Sequence, residues 1–161
     1  MARQVKVVLV GDGSVGKSSL VARFVREGFV QRYAQTVGVD FYEKRIQVRG
    51  EVFADLQIWD IGGQSIRSKM LPRYLSGAQV VFVVYDLSNR DSLLDADDWL
   101  AQLNAVYPAK KKKEPPDVYA VGNKADLIHC RQVSDKDHDL FWRSRAAKTS
   151  RVLFTRPPRA L

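Results

Sequence analysis

The sequence predicts a doubly wound α/β domain, with a mostly parallel sheet, one antiparallel edge strand and helices on both faces. Three observations predict it. Short, nearly continuous apolar runs alternate with segments of helical period. One pair of runs is joined by a tight turn. The length of 161 residues suits one domain of this class.

Taken in order, Val5 to Val10 is an apolar run ended by Gly11, as a strand buried on both faces requires. Ser18–Glu27 sets Leu20, Val21, Phe24 and Val25 on one helical face, with Gly28 as the stop. Asp40–Val48 and Val52–Asp60 flank Arg49-Gly50-Glu51 and read as a hairpin. In its second arm Val52, Ala54, Leu56 and Ile58 alternate with Phe53, Asp55, Gln57 and Trp59. Gln79–Tyr85 is another buried strand. Ser92–Tyr107 is a helix with Ala96, Trp99, Leu100, Leu103 and Val106 inward, and Val118–Val121 is a further strand. Ser134-x-x-Asp137 resembles a capping box opening one more helix. In such a sheet, ligands sit at the carboxyl ends of the strands. The loops after Val10, Asp60, Tyr85 and Val121 therefore share one rim.

Composition narrows the classes. The single cysteine, Cys130, excludes an internal disulfide framework and a multi-cysteine zinc site, and reads as a lone packed or surface thiol. No signal-peptide stretch follows Met1, and no window approaches the roughly 18 apolar residues that span a bilayer. The expectation is a soluble, cytoplasmic domain. The net charge is +8, from 26 basic and 18 acidic residues, but it is unevenly placed. Up to Ile128 the excess is +3, and beyond it +5; residues 143–161 hold six basic side chains and no acidic one. A near-neutral body with a basic tail argues against nucleic acid as a partner. Lys110–Lys113 reads as a solvated loop or as a localisation or acidic-lipid patch.

Gly11-Asp12-Gly13-Ser14-Val15-Gly16-Lys17-Ser18 matches G-x-x-x-x-G-K-S/T between a strand and a helix. Glycines let the backbone curl so that the amides of Gly13, Ser14, Val15, Gly16, Lys17, Ser18 and Ser19 surround phosphate oxygens at a helix amino terminus. Lys17 adds a point charge for the outer phosphates, and the Ser18 hydroxyl is a magnesium ligand. Asn123-Lys124-Ala125-Asp126 supplies the base. The Asp126 carboxylate can accept from both N1–H and the exocyclic amine of guanine, whereas adenine has no N1–H. Asn123 and Lys124 would brace that loop and cover the base. In Asp60-Ile61-Gly62-Gly63-Gln64, Asp60 is placed to hold magnesium through water, the Gly63 N–H to sense a γ-phosphate, and Gln64 to orient an attacking water. Thr36 is either a plain loop residue or the hydroxyl that completes the magnesium shell.

With these residues in view, the chain resembles the Ras superfamily of small GTPases over about residues 3–142, and the Rab family most closely. Val37-Gly38-Val39-Asp40-Phe41, Leu56-Gln57-Ile58-Trp59-Asp60, Arg73-Tyr74-Leu75-Ser76-Gly77-Ala78 and Val84-Tyr85-Asp86-Leu87-Ser88-Asn89 carry that likeness. Ile61-Gly62 stands where Rabs usually have Thr-Ala; with Lys69-Met70-Leu71 and Gly77-Ala78-Gln79 it is similar to the divergent Rab-twenty-eight branch. The resemblance implies a P-loop small-GTPase fold. It also implies a GTP/GDP switch with magnesium, slow hydrolysis by way of Gln64 and Lys17, and a role in vesicle or ciliary membrane traffic. Exchange factors (GEF), activating proteins (GAP) and effectors would bind through about residues 31–41 and 60–76. It further implies that Phe29 packs on the guanine, unless it is a core phenylalanine, that Tyr33 lies over the phosphates, and that Gly13 leaves room beside Gln64. Gly62 would add backbone freedom to that loop.

The carboxyl end departs from the family. Residues 1–142 read as the GTPase domain and 143–161 as a basic, atypical segment in which the last strand and terminal helix are missing or altered. Ala146-Ala147-Lys148-Thr149 resembles the loop that covers guanine, which would make Ala147 and Lys148 base contacts, but no apolar strand precedes it. Lys148 reads equally as a tail lysine. Loss of the last strand would leave Val118–Val121 an open edge and uncover an apolar sheet face. No cysteine near the end serves for prenylation, so the tail offers only weak contact with anionic lipid. The competing functional expectation is a nucleotide-impaired module that acts only by binding proteins.

Overall fold

A computed structural model of the chain describes residues 3–26, 35–108, 114–146 and 152–154. Among them a six-stranded sheet runs in the order β2-β3-β1-β4-β5-β6. β1 (Arg3–Val10) lies inside, parallel to both β3 (Val52–Ile61) and β4 (Val80–Asp86). β2 (Val39–Arg49) is the antiparallel edge, paired to β3 through the expected hairpin, with a register shift between Gln47 and Arg49. β5 (Asp117–Asn123) is parallel to β4, and β6 (Val152–Phe154) is parallel to β5.

Helices cover the faces as crossovers demand. α1 (Lys17–Arg26) follows β1 directly. Between β3 and β4 lie a 3₁₀ turn over Gly63–Arg67 and the short α2 (Leu71–Leu75), which opens with Pro72 where a missing N–H costs nothing. The single helix expected over Ser92–Tyr107 is instead two, α3 (Arg90–Leu94) and α4 (Ala96–Val106), meeting at Asp95. The Asn89 side chain caps the first by accepting from the Asp91 N–H at 3.1 Å, so helix begins two residues early. The buried Ser92 accepts from the Asp86 N–H at 2.9 Å and tethers α3 to the end of β4. Of the expected inward residues of α4, Ala96, Trp99, Leu100 and Leu103 are buried and Val106 is partly buried against the same core.

α5 (Asp135–Ala146) opens on the predicted box. The Asp137 N–H donates to Ser134 Oγ at 3.1 Å, and the Ser134 N–H donates back to the Asp137 carboxylate at 3.0 Å. This helix runs across the expected boundary at 142/143. Phe141 and Trp142 are buried in the main core, while Arg145 stacks on the Phe141 ring at 3.4 Å and pairs with Asp97 of α4. The end of the sheet also differs from an open edge. β6 pairs Val152, Leu153 and Phe154 with Val118, Tyr119 and Ala120, so the last strand is shortened rather than lost. It lies after Ala147 and Lys148 in the chain, because the residues before them, which lacked an apolar run, form α5.

The two sheet faces are unequal. One holds the larger core, from Val8 and Val10 through Val81, Val83 and Tyr85 to Trp99, Leu103 and Trp142. Fully burying side chains of that size is worth about 1.5–3 kcal/mol each, so this face dominates stability. The other packs Val7, Leu9, Ile58 and Val84 against Leu20, Val21 and Val25 of α1. Beside that helix an apolar groove of about 540 Å³ opens over Leu56, Phe82, Tyr119 and Val121, with Phe24 44% exposed at its lip.

Candidate functional site

The rim at the carboxyl ends of β1, β3, β4 and β5 carries the site, because a parallel sheet delivers all these chain reversals to one side. A cleft of about 210 Å³ there is lined by the expected Gly13, Ser14, Gly16, Lys17, Ser18, Ser19, Thr36, Gly63 and Lys124. Gln35, not singled out in the sequence, and Gly62, expected there only to add freedom to its loop, line it as well.

The loop between β1 and α1 is held in a conformation few sequences tolerate. Gly16 has φ +99°, and even Ser14 adopts φ +62°. Gly11 has φ +140°, and a Cβ there would lie 2.0 Å from the Val84 carbonyl oxygen, so the loop leaves β1 pressed against β4. α1 begins at Lys17 with no acidic residue in its first turn, which leaves its positive dipole end uncompensated. Lys17 is buried and donates to the carbonyls of Gly11 and Asp12, both at 2.7 Å. Burial lowers its pKa to about 8, against the opposing pull of Asp60 and Asp12. The result is a concave, positively biased pocket at a helix amino terminus, suited to phosphate.

Beside it three oxygens converge. Ser18 Oγ lies 2.8 Å from Thr36 Oγ1 and donates to Asp60 Oδ2 at 2.5 Å. Asp60 is fully buried at the end of β3. Burial raises its pKa; the Ser18 hydrogen bond and Lys17 oppose this, while Asp40 adds to it. Its Oδ1 is buried with no hydrogen-bond partner among the described residues. A buried, penalised carboxylate with one oxygen unspent, next to two hydroxyls, fits a small hard divalent cation that takes oxygen ligands and keeps water or phosphate for the rest.

Gly63 explains how two loops meet. A Cβ on it would lie 2.3 Å from the Gly13 nitrogen, so its backbone rests directly on the phosphate loop. Gly62 has ordinary dihedrals, φ −59° and ψ 136°, so its backbone conformation alone does not require glycine. A Cβ there would lie 2.2 Å from the Thr36 carbonyl oxygen, and its N–H donates to the Gly38 carbonyl at 2.9 Å. It is a point of close approach between the segments carrying Thr36 and Asp60. Gln64 follows in the 3₁₀ turn and is exposed.

The third segment arrives from β5. The Asn123 amide donates to the Val15 carbonyl at 2.9 Å, and a Cβ on Gly16 would meet that amide at 2.3 Å. The two distant motifs are thus one packed unit. Lys124, at φ +60°, turns its ammonium to Asp86 at 2.7 Å. Burial would raise the Asp86 carboxyl, yet the hydrogen bonds from Lys124 and Ser88 outweigh it and hold the pKa below the usual range. Asp86 escaped sequence reasoning although its place just after the Gln79–Tyr85 run put it on the rim. Asp126 is exposed in the following turn and stands apart from the phosphate cleft. Phe29, Tyr33, Ala147 and Lys148 lie outside the described residues.

Comparison with known proteins agrees with this geometry. Residues 6–151 match the model of the Ras family. The chain is 43% identical over 137 residues to the Ras-related protein Rab-28 of Caenorhabditis elegans, which covers 85% of this chain and 54% of that protein. It is 36% identical over 156 residues to the Ras-related protein Rab5A of Oryza sativa subsp. japonica, covering 92% and 73%. To the Ras-related protein RABF2a of Arabidopsis thaliana it is 35% identical over 153 residues, covering 90% and 73%. The chain therefore spans about half the length of the nematode relative.

Proposed function

The chain belongs to the Ras family, and from that premise we propose that it is a guanine-nucleotide switch of the Rab type that binds GTP or GDP with magnesium and slowly hydrolyses GTP. The convergence of Ser18, Thr36 and Asp60 oxygens beside the buried Lys17 carries the proposal. The amides of residues 13–19 would cradle the phosphates, and Asp126 would select guanine. Ser18, Thr36 and Asp60 would hold the cation, which neutralises charge on the outer phosphates when bound.

In the reaction, Gln64 would orient a water in line with the γ-phosphorus. The new P–O bond forms from that water as the bond to the β–γ bridging oxygen breaks, giving GDP and phosphate. Lys17 would offset the charge that gathers on the bridging oxygen. Unassisted turnover of this kind is slow, on the order of 10⁻⁴ s⁻¹. The Gly63 backbone, resting on Gly13, would feel the γ-phosphate, and Gly62 would pass that to the Thr36 segment.

Exchange factors, activating proteins and effectors would read residues 31–41 and 60–76. Support comes from Phe41, 48% exposed, which packs edge-on against Trp59 at 5.5 Å; Trp59 in turn meets Tyr74 at 6.2 Å. An exposed phenylalanine backed by two half-buried aromatics across two segments suits a protein partner. The Rab likeness suits a part in intracellular membrane traffic, which we propose is vesicular or ciliary. Among the described residues no helix is long and apolar enough to cross a membrane, and membrane contact would be peripheral, aided weakly by the basic residues of 143–161.

Gln64→Leu tests the chemistry. It should leave GDP and GTP affinity within about twofold while lowering activator-stimulated turnover by about a hundredfold or more. Stimulated turnover that is unchanged would remove Gln64 from the mechanism.

A further inference from the structure

The guanine-reading turn has a support of its own in the core. Tyr85, near the end of β4, is fully buried, and its hydroxyl is hydrogen-bonded to Nδ1 of His138, also fully buried, on α5. The rings lie near parallel with centroids 6.0 Å apart, and Trp142 flanks Tyr85 at 6.3 Å. Burial holds the His138 imidazole below its ordinary range, against Asp139 and Asp135, and burial holds the Tyr85 phenol above its own. Both groups are therefore uncharged at neutral pH. The bond between them is directional, so it sets how deep the tyrosine ring sits; an apolar contact would leave more slack.

What rests on that hydroxyl is β5. Tyr85 is in register with Gly122, and Asp86 with Asn123. A Cβ on Gly122 would lie 2.8 Å from Tyr85 Oη and 3.1 Å from Cζ, so the strand backbone sits directly on the phenol. One residue later Asn123 reaches across to Val15, and the Leu87 N–H donates to the Asn123 carbonyl at 3.0 Å. Then comes Lys124, paired with Asp86, and the turn to Asp126.

We propose that Tyr85 and His138 form a positioning pair for base recognition: the hydrogen-bonded hydroxyl fixes the height of Gly122 and thereby where the Asn123–Asp126 turn presents its carboxylate to guanine. This rests on the guanine-switch reading above. Neither side chain lines the phosphate cleft.

Inosine diphosphate lacks the exocyclic amine of GDP, so the ratio of the two affinities reads the alignment of Asp126 and not overall stability. Both should be measured by displacement of a fluorescent GDP from the full chain with magnesium. Tyr85→Phe should narrow the GDP preference about threefold to tenfold, the worth of one neutral hydrogen bond. Tyr107→Phe loses a comparable buried bond, from its hydroxyl to the Leu75 carbonyl at 2.8 Å, far from the base, and should leave the preference as it is. His138→Leu should narrow the preference as Tyr85→Phe does. His138→Asn, which keeps a hydrogen-bonding atom near the Nδ1 position, should restore most of it. A preference unchanged in Tyr85→Phe and His138→Leu overturns the inference while leaving the switch intact. An unmutated chain that binds neither diphosphate overturns the guanine reading itself, and this inference with it.

Discussion

Lys17 shows how much one side chain owes to its surroundings. Its ammonium is buried and held by two carbonyls, and burial brings its pKa down to about 8. A diphosphate beside it would favour the charged form and raise that value. Binding then takes up a proton wherever the free chain has lost it, so affinity must fall as pH rises through 8. The GDP dissociation constant should weaken about fourfold between pH 7 and pH 8.5 at fixed ionic strength. A flat profile would mean that Lys17 does not meet the phosphates. At this scale the sequence was informative wherever a residue type and its spacing define a chemistry, as for Lys17, Ser18 and Asp60. It was silent on Asp86, whose partner Lys124 comes from a neighbouring strand end 38 positions on. It was equally silent on Tyr85 and His138, since a buried tyrosine in an apolar run looks like ordinary core.

Among the elements, the two segments that would respond to a γ-phosphate are locked together by absent side chains. Gly62 lets the Thr36 carbonyl come close, and Gly63 does the same for Gly13. Gly62→Ala must push the Thr36 segment away, since the obstructing atom is backbone. The extra GTP affinity conferred by magnesium should shrink about fivefold, as expected for one lost hydroxyl contact. Titration with and without chelator would measure it, and an undiminished gain would show that the approach is incidental. Elements with a clear period were legible: the hairpin from alternation in Val52–Trp59, α4 from Trp99, Leu100 and Leu103. Short pieces were not. The 3₁₀ turn at Gly63–Arg67, α2 and β6 span five, five and three residues, too few for a hydrophobic period to declare itself. The early start of α3 comes from the Asn89 cap, and the Ser92 tether fixes it to β4; both are polar and local.

For the molecule as a whole, topology does the assembling. Parallel crossovers bring residues 11–19, 35–36, 60–64, 86 and 123–124 to one rim, although up to 108 positions separate contacting pairs such as Val15 and Asn123. The mostly parallel sheet with its antiparallel edge was readable because alternation of strands and helices admits few arrangements, whereas the strand order comes only from the structure. The end of the chain was harder: a short parallel strand covers β5 there, and no periodic pattern announces it. The direct test of the account is a titration of the purified chain with fluorescent GDP, with magnesium and then with chelator, followed by competition with unlabelled GTP and ATP. Saturable one-to-one binding is expected, weakened at least about tenfold by chelation, with GTP displacing the probe and ATP failing to do so. No saturable binding, or displacement by ATP as readily as by GTP, would contradict it.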